Sequence, residues 1–279
     1  MRRSLAVVTC LLTLAGCATS TAGSASAPPP SPSIATAQRT APPPSTVPRS
    51  TSTTPRTTKP APPPVSGVVV LDPGHNGDNA ANPDVINELV PAGRGRTKPC
   101  NTTGTATGAG YPEHAFTWSV AVRVRAILEA RGIEVRLTRP NDRGIGPCVN
   151  ERAAVGNDAA ADAVVSIHAD GSTNPAAHGF HVAYSSPPLN AAQGEPSLRL
   201  ARTMRDGLSS AGFPLSTYVG SHGLSPRDDL GGLNLSTRPA VLVECGNMRN
   251  AAEAAAFSSP AGQRSYAAAI AAGILVYLA

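Results

Sequence analysis

The first 66 residues contain no aspartate and no glutamate, although they carry six arginine and lysine residues. The other 17 of the 23 basic residues stand against all 18 acidic residues, so residues 67–279 have a net charge of −1. The formal net charge of +5 therefore arises in the N-terminal part. Because the remainder has no net positive field to attract phosphates, the sequence argues against a nucleic-acid partner.

No hydrophobic run beyond the N-terminus is long enough to span a bilayer as a helix. Residues 1–17 have the pattern of a signal peptide, since two arginines precede a short apolar stretch over 5–15. This segment ends in Leu-Ala-Gly-Cys17, which resembles the lipobox of bacterial lipoproteins, whose cysteine is acylated. An ordinary cleaved signal peptide with an incidental cysteine is the alternative. Both interpretations predict export to the cell envelope. Only the first adds a lipid on Cys17, which would be the one expected link to a membrane.

Residues 18–66 lack the apolar periodicity that a helix or strand would need to bury a face. They consist almost entirely of alanine, proline, serine and threonine, so no core can form to offset the entropy of ordering. We expect a disordered linker, which proline would stiffen toward about 3.1 Å per residue. A fully extended linker would reach roughly 150 Å at that rise, far enough to hold a domain well away from a membrane anchor. A flexible tail with no such role predicts the same disorder.

The five cysteines suggest one disulfide in an oxidising compartment. Cys10 and Cys17 belong to the N-terminal segment, whereas Cys100 and Cys148 both lie among glycine, proline and asparagine, as loop cysteines do. A bond between the latter two would stabilise the fold by about 4 kcal/mol through loop closure. Cys245 lies in an apolar run and is predicted to be a buried free thiol.

Residues 67–279 alternate between strand and helix patterns and are predicted to form one domain. This alternation predicts an α/β fold, a three-layer sandwich in which helices flank a mainly parallel twisted sheet. The glycine- and asparagine-rich segment 76–110 is too long for a passive connection and is a candidate binding loop. Strands are expected at 68–71, 133–137, 163–167, 179–184 and 239–244, and helices at 113–131, 148–157, 196–211 and 262–278.

Four polar side chains are candidates for metal chemistry, although the sequence contains no HExxH motif. His75 and His168 follow predicted strands, Glu244 ends a later strand, and Glu113 opens a helix. In such sheets ligands bind beyond the carboxyl ends of the strands. Two imidazoles and one carboxylate with an open position form a catalytic zinc set. Each histidine taken alone is better explained as a solvated or hydrogen-bonded loop residue than as a ligand, but an acid in an apolar strand such as Glu244 is costly without a role.

The ordered motifs of this region resemble those of the zinc-dependent N-acetylmuramoyl-L-alanine amidases of the Amidase_3 type, in their actinobacterial branch. The resemblance covers nearly all of 67–279. The motifs are LDPGHNG at 71–77, Glu113, LTR at 137–139 with Asp142, Arg152 with Asn157, SIHAD at 166–170 and PAVLVECG at 239–246.

This resemblance implies that His75, Glu113 and His168 bind Zn²⁺ and that Glu244 is the catalytic carboxylate. The implied reaction is hydrolysis of the amide between the lactyl group of N-acetylmuramic acid and L-alanine of the stem peptide. Peptidoglycan or muropeptides would then be the partner, and a monomer is expected. The sequence departs from the family at Asn76, where glycine is usual, and in the stretch 246–250. No long insertion follows His168, so control by an inhibitory helix is not expected.

Other polar residues near the motifs have structural interpretations beside functional ones. Arg139, Asp142 and Arg152 are predicted to form an ion-pair network that supports the sheet. Asp72 could orient His75 or stabilise the turn after the first strand. His114 is expected to be structural. Among His178, His181 and His222, one could contact substrate.

Two other functions remain compatible with the residues themselves. A zinc carboxypeptidase or deacetylase would use the same ion on a different bond of the wall. A non-catalytic wall-binding lipoprotein could retain the fold without the activity, although the presence of all four polar residues argues against it.

Overall fold

The computed structural model describes residues 66–279. The signal-peptide prediction for 1–17, the linker prediction for 18–66 except its last residue, and all six basic residues of the N-terminal part lie outside this range. The strands are β1 (Val68–Pro73), β2 (Leu89–Pro91), β3 (Thr97–Pro99), β4 (Glu134–Leu137), β5 (Ala163–Asp170), β6 (His181–Ser185), β7 (Leu224–Arg227) and β8 (Ala240–Asn247). The helices are α1 (Pro83–Ile86), α2 (Glu113–Glu129), α3 (Val149–Asp158), α4 (Glu195–Ser210), α5 (Gly231–Leu235), α6 (Ala251–Ser258) and α7 (Pro260–Leu278).

Six strands form one mixed sheet in the order β4-β1-β5-β8-β6-β7. The first four strands in that order run parallel, β6 runs antiparallel to β8, and β7 is parallel to β6. Strands β2 and β3 form a separate antiparallel pair. The predicted α/β fold with a mainly parallel sheet flanked by helices is confirmed. Within residues 66–279, no helix combines the length and apolarity that crossing a membrane would require.

Helix α2 illustrates how the sequence specifies an element. Pro112 precedes its first residue in an extended conformation, and Gly132, with φ of 86°, follows its end. Between them Phe116, Val120 and Val124 recur at helical spacing and are fully buried. The helix therefore covers the sheet with one face and begins at Glu113, which places that carboxylate beside the strand ends.

The two faces of the sheet carry different numbers of helices. On the face that we call the core face, α2, α4 and α7 pack over the odd-numbered residues of β5 and β8, such as Val165, Ile167 and Val243. On the opposite face, the site face, α3 and α5 cover a smaller apolar cluster that includes Val164, Leu233 and Ala240. His168 and Glu244 project from the site face, and Glu113 reaches the same strand ends from the first turn of α2.

Strands β5 and β8 both run three residues further than predicted. His168 and Glu244 therefore lie inside strands rather than at or beyond their ends. Polar residues suggested a strand end, yet hydrogen bonding between the neighbouring strands continues through them, with one irregularity after His168. The extension matters because residues inside a strand alternate strictly between its two faces.

Candidate metal centre

The strand register brings three chemically active side chains together on the site face. His168 of β5 is paired with Glu244 of β8, and His181 of β6 is paired with the same glutamate from the other side. Paired residues on adjacent strands lie about 5 Å apart and project from the same face. Glu244 therefore stands between two histidines at the centre of the sheet.

His75, Glu113 and His168 converge, as the sequence predicted. Each offers one ligand atom, and these atoms all lie within 4.8 Å of one another. Glu113 Oε1 is 3.1 Å from His75 Nε2 and 3.0 Å from His168 Nδ1. These separations are close to the edge of a tetrahedron around zinc, about 3.3 Å for metal–ligand distances near 2.0 Å. Two imidazole nitrogens and one carboxylate oxygen are also ligands that zinc prefers, so the three residues fit this ion.

Mutual contacts set the protonation of this triad. Burial alone would raise the pKa of Glu113, but the charges and hydrogen bonds of His75 and His168 outweigh it and hold the pKa well below its ordinary value. Burial would lower the pKa of His75, but Glu113 outweighs that effect and raises it. The site therefore keeps a carboxylate ionised where it is almost fully buried, at 4 % exposure.

Arg152 and Thr102 hold His75 from two sides. The backbone of His75 is left-handed, with φ of 61°, which is uncommon for a residue with a side chain. The carbonyl of His75 accepts a hydrogen bond from Arg152 Nη2 at 2.9 Å, while its ring Nδ1 lies 3.1 Å from the carbonyl oxygen of Thr102. These contacts fix a strained backbone and leave Nε2 free to face Glu113.

Asp72 supports the sheet and does not contact His75 directly. Its oxygens accept hydrogen bonds from Arg152 at 2.7 Å, Thr138 at 2.6 Å and Ser166 at 2.7 Å. Burial alone would raise the pKa of Asp72, but Arg152 and the two hydroxyls outweigh it and lower it to about 2. Of the two predicted roles, the structure supports stabilisation of the turn region, with Arg152 as the link to His75.

Of the predicted ion-pair network, Arg139 pairs with Asp142, whereas Arg152 pairs with Asp72 instead. Arg139 Nη1 lies 2.9 Å from Asp142 Oδ1, and Arg139 Nε donates to the carbonyl of Pro73. His114 Nδ1 is 2.9 Å from the same aspartate, so its role is structural, as predicted. Gly74 belongs to this region as well, since an added Cβ there would overlap the ring of His168. Arg139 thereby satisfies the carbonyl of Pro73, which β1 leaves unpaired where it ends.

Glu244 differs from Glu113 and Asp72 because one of its carboxylate oxygens has no partner among the described residues. Its Oε2 atom is buried and makes no hydrogen bond. Burial, followed by the nearby charges of Asp170 and Glu113, raises the pKa of Glu244 well above its ordinary value. A buried carboxylate without a partner is costly, so such a group is typically retained for a function.

Asp170, Tyr218 and His181 form a second polar cluster beside Glu244. The hydroxyl of Tyr218 donates to Asp170 Oδ2 at 2.9 Å, and His181 Nδ1 is 3.6 Å from the same oxygen. His181 is only 2 % exposed, and burial, together with the charge of Arg227, lowers its pKa to about 4. A neutral imidazole therefore stands next to the glutamate. Of the three further histidines considered from sequence, His181 is the one placed at the site.

A cavity of about 380 Å³ opens at the metal centre. The triad, Asp170 and Glu244 line one part of it. The other part is lined by apolar residues of the site face and by the polar groups Lys98 and Arg152; the apolar residues include Val149, Ala153, Val164, Leu230, Leu233, Ala240 and Leu242. The volume suits part of a peptide or a small ligand. Segment 76–110, the candidate binding loop, supplies several wall residues between Lys98 and Thr105.

Sequence reasoning missed Thr102 and Tyr218. Thr102 contacts His75 through its backbone carbonyl as well as its hydroxyl, and a carbonyl contact leaves no residue-type signal. Tyr218 lies in the connection between α4 and β7, far from any motif. Arg94 and Arg96 of the candidate binding loop bond to Asn234 and to Asp228.

Comparison with known proteins agrees with the geometry. Residues 69–276 match the family Amidase_3, N-acetylmuramoyl-L-alanine amidase. The N-acetylmuramoyl-L-alanine amidase Rv3717 of Mycobacterium tuberculosis is 50% identical over 217 residues, which cover 77% of this chain and 88% of that protein. The crystal structure of Ami1 from Mycobacterium smegmatis has 53% identity and a TM-score of 0.75, covering 78% of this chain and 99% of that chain.

Ami1 from Mycobacterium abscessus, solved in its apo form, is similar to the same extent, with 54% identity and a TM-score of 0.74 over 76% of this chain and 99% of that chain. Both proteins are described as N-acetylmuramyl-L-alanine amidases. The match over almost the whole described range, with a candidate metal triad inside it, shows that the chain belongs to the Amidase_3 family and is an N-acetylmuramoyl-L-alanine amidase, a hydrolase of peptidoglycan.

Proposed function

We propose that His75, Glu113 and His168 hold one zinc ion and that Glu244 is the catalytic acid and base of the reaction. The scissile bond is the amide between the lactyl group of N-acetylmuramic acid and L-alanine. The observation that carries the assignment of Glu244 is its position, register-paired with His168 and with a buried oxygen that has no partner among the described residues. When bound, zinc would supply a Lewis acid that polarises the carbonyl and acidifies water.

The side chains of the chain perform the proton transfers in this proposal. The carboxylate of Glu244 removes a proton from the attacking water while the oxygen of that water forms a bond to the carbonyl carbon. When the carbon–nitrogen bond breaks, Glu244 delivers that proton to the nitrogen of L-alanine, which leaves as an amine. The raised pKa of Glu244 suits a group that must both accept and return a proton. The neutral His181 beside it adds no charge that would hold the carboxylate permanently ionised.

A digest of muropeptides with zinc-loaded and metal-stripped enzyme tests the proposal. Mass spectrometry should find intact glycan and intact peptide only with the loaded enzyme. Loss of a terminal D-amino acid would identify a carboxypeptidase, and loss of an acetyl group would identify a deacetylase. Equal turnover after metal removal would contradict the metal assignment, and no turnover in either state would favour the non-catalytic wall-binding protein.

An extracytoplasmic location agrees with the family and with the disulfide between Cys100 and Cys148. We further propose that residues 1–17 direct export, that Cys17 is acylated, and that 18–66 link a monomeric catalytic domain, 67–279, to the membrane. Mass spectrometry of the mature N-terminus tests the anchor, since a lipid would appear as added mass on Cys17. An unmodified N-terminus produced by cleavage elsewhere would contradict it.

A further inference from the structure

Residues 101–105, which we call the clamp segment, lie directly against two of the three proposed metal ligands. The carbonyl and hydroxyl oxygens of Thr102 are 3.1 and 3.2 Å from Nδ1 of His75. The amide of Thr105 donates to Oε2 of Glu113 at 3.0 Å. Gly104 lies between these contacts, and an added Cβ would stand 2.9 Å from the His75 ring and 3.0 Å from the Glu113 carboxylate. The segment therefore orients both ligands with almost no free space.

A disulfide ties the clamp segment to α3. Cys100, the residue before the segment, is bonded to Cys148, the residue before α3. Two hydrogen bonds reinforce the connection, from the amide of Val149 to the carbonyl of Cys100 at 2.9 Å and from Asn101 Nδ2 to the carbonyl of Pro147 at 3.2 Å. The clamp segment has no strand or helix of its own, so these links to α3 help to determine its position.

The same helix holds His75 from its other side. Arg152, one turn into α3, donates to the carbonyl of His75 at 2.9 Å and to Asp72 at 2.7 Å. His75 is thus contacted at its ring by the clamp segment and at its backbone by α3. The disulfide joins these two supports covalently, although its two cysteines are 48 residues apart in sequence.

We infer that the Cys100–Cys148 disulfide and the clamp segment are positioning elements of the metal site, so that zinc affinity depends on them. This inference rests on the proposed function of the triad. Ligands that are oriented before the ion arrives lose less freedom on binding, and removing the groups that orient them typically weakens metal affinity 10- to 100-fold. A disulfide that stabilised only the fold would leave the affinity of the folded protein unchanged.

Matched variants of the full chain separate the two roles. Gly104→Ala places a methyl group against the ligands at a residue with φ of 76°. Gly110→Ala imposes a similar backbone strain, since φ there is 86°, but no atom lies within 4 Å of the new Cβ. Cys100→Ser with Cys148→Ser removes the covalent tie. The zinc dissociation constant is measured by competition with a fluorescent chelator, at a temperature where circular dichroism shows each metal-free variant to be folded.

We expect zinc to bind about 10-fold or more weakly to Gly104→Ala and to the double cysteine variant, and with unchanged affinity to Gly110→Ala. Unchanged affinity in the folded double variant would overturn the role of the disulfide. Equal affinities of the two glycine variants would overturn the role of the clamp segment, even if the double variant failed to fold. Wild-type protein that binds zinc without cleaving muropeptides would refute the proposed function alone, because these affinities do not depend on turnover.

Discussion

The two faces of the sheet bury side chains of different kinds, although they belong to the same strands. The core face is closed by aromatic and aliphatic residues from α2, α4, α6 and α7. The site face buries a glutamate, two histidines and two arginines next to a cavity. Apolar burial is favourable wherever it occurs, whereas each buried charge must find partners or be left for a ligand. The comparison indicates that the core face supplies most of the stability, and that the site face gives up some stability for chemistry.

The largest expected effect comes from changing the site face at Glu244, and it is an effect on the reaction. Glu244→Gln keeps the shape of the side chain but cannot exchange the proton. The turnover number should fall about 10²- to 10⁴-fold while zinc affinity remains that of the wild type. Kinetics on a purified muropeptide and chelator competition measure the two quantities, with Glu129→Gln on the exposed surface of α2 as the control. Wild-type turnover in Glu244→Gln would show that another group handles the proton.

Phe257→Ala should instead damage the core face alone. The ring of Phe257 is fully buried and packs 4.6 Å from Phe116 and 5.3 Å from Tyr266, measured between ring centroids. Its loss should lower the free energy of unfolding by about 3–5 kcal/mol. Urea denaturation measures the change, and Val276→Ala, at a side chain 64% exposed on α7, serves as the near-neutral control. A parallel loss of zinc affinity in the folded variant would mean that the two faces are not separable.

Asp72→Asn tests a charge on the site face that contributes to stability rather than to the reaction. The pKa of Asp72 in the folded protein is about 2, below its ordinary 3.8, so its stabilisation is fully present above pH 3.8 and is lost as the pH falls toward 2. The variant should be less stable by about 2 kcal/mol at neutral pH, because Arg152 then lacks its ionised partner.

The difference between wild type and Asp72→Asn should shrink as the pH is lowered through this window. Denaturation at a series of pH values measures it. Glu134→Gln, in the exposed pair with Arg136, is the control and should change little. A difference that stayed constant down to pH 3 would contradict the assigned pKa.

Tyr218→Phe should have the smallest effect. It removes the hydroxyl that donates to Asp170 at 2.9 Å, which would leave the Asp170 carboxylate beside Glu244 less firmly oriented. A lost hydrogen bond of about 1 kcal/mol corresponds to a several-fold fall in kcat/KM, with zinc affinity unchanged. Tyr184 packs against the core face, so Tyr184→Phe is the matched control. A fall beyond 100-fold would indicate that the Tyr218 hydroxyl contacts the substrate itself.

Apolar periodicity made the core face largely predictable from the sequence. The spacing of Phe116, Val120 and Val124 specified α2, and β-branched runs specified β1, β5 and β8. The short elements β2, β3, β7, α1, α5 and α6 were not predicted, because they lack the β-branched runs or helical apolar spacing that marked β1, β5, β8 and α2.

The site face was predictable only where side-chain type carries the chemistry. His75, Glu113, His168 and Glu244 were singled out by their positions at strand and helix ends and given roles by motif resemblance, and the structure brings the first three together and pairs the fourth with His168. The contact of Thr102 with His75 was not predicted because it runs largely through a carbonyl group, which every residue possesses. The role of His181 depends on strand register, which a single sequence does not reveal across distant strands.

The reversed direction of β6 has a consequence for the evolution of substrate range. Because β6 runs against β8, the chain re-enters the sheet at the same end where β5 leaves it, so the connection over 171–180, whose first residue Gly171 lines the cavity, needs no crossover helix. Its length can change while every strand pairing stays intact. Insertions or deletions there would alter which wall fragments gain access, and this connection is therefore a rational starting point for engineering selectivity.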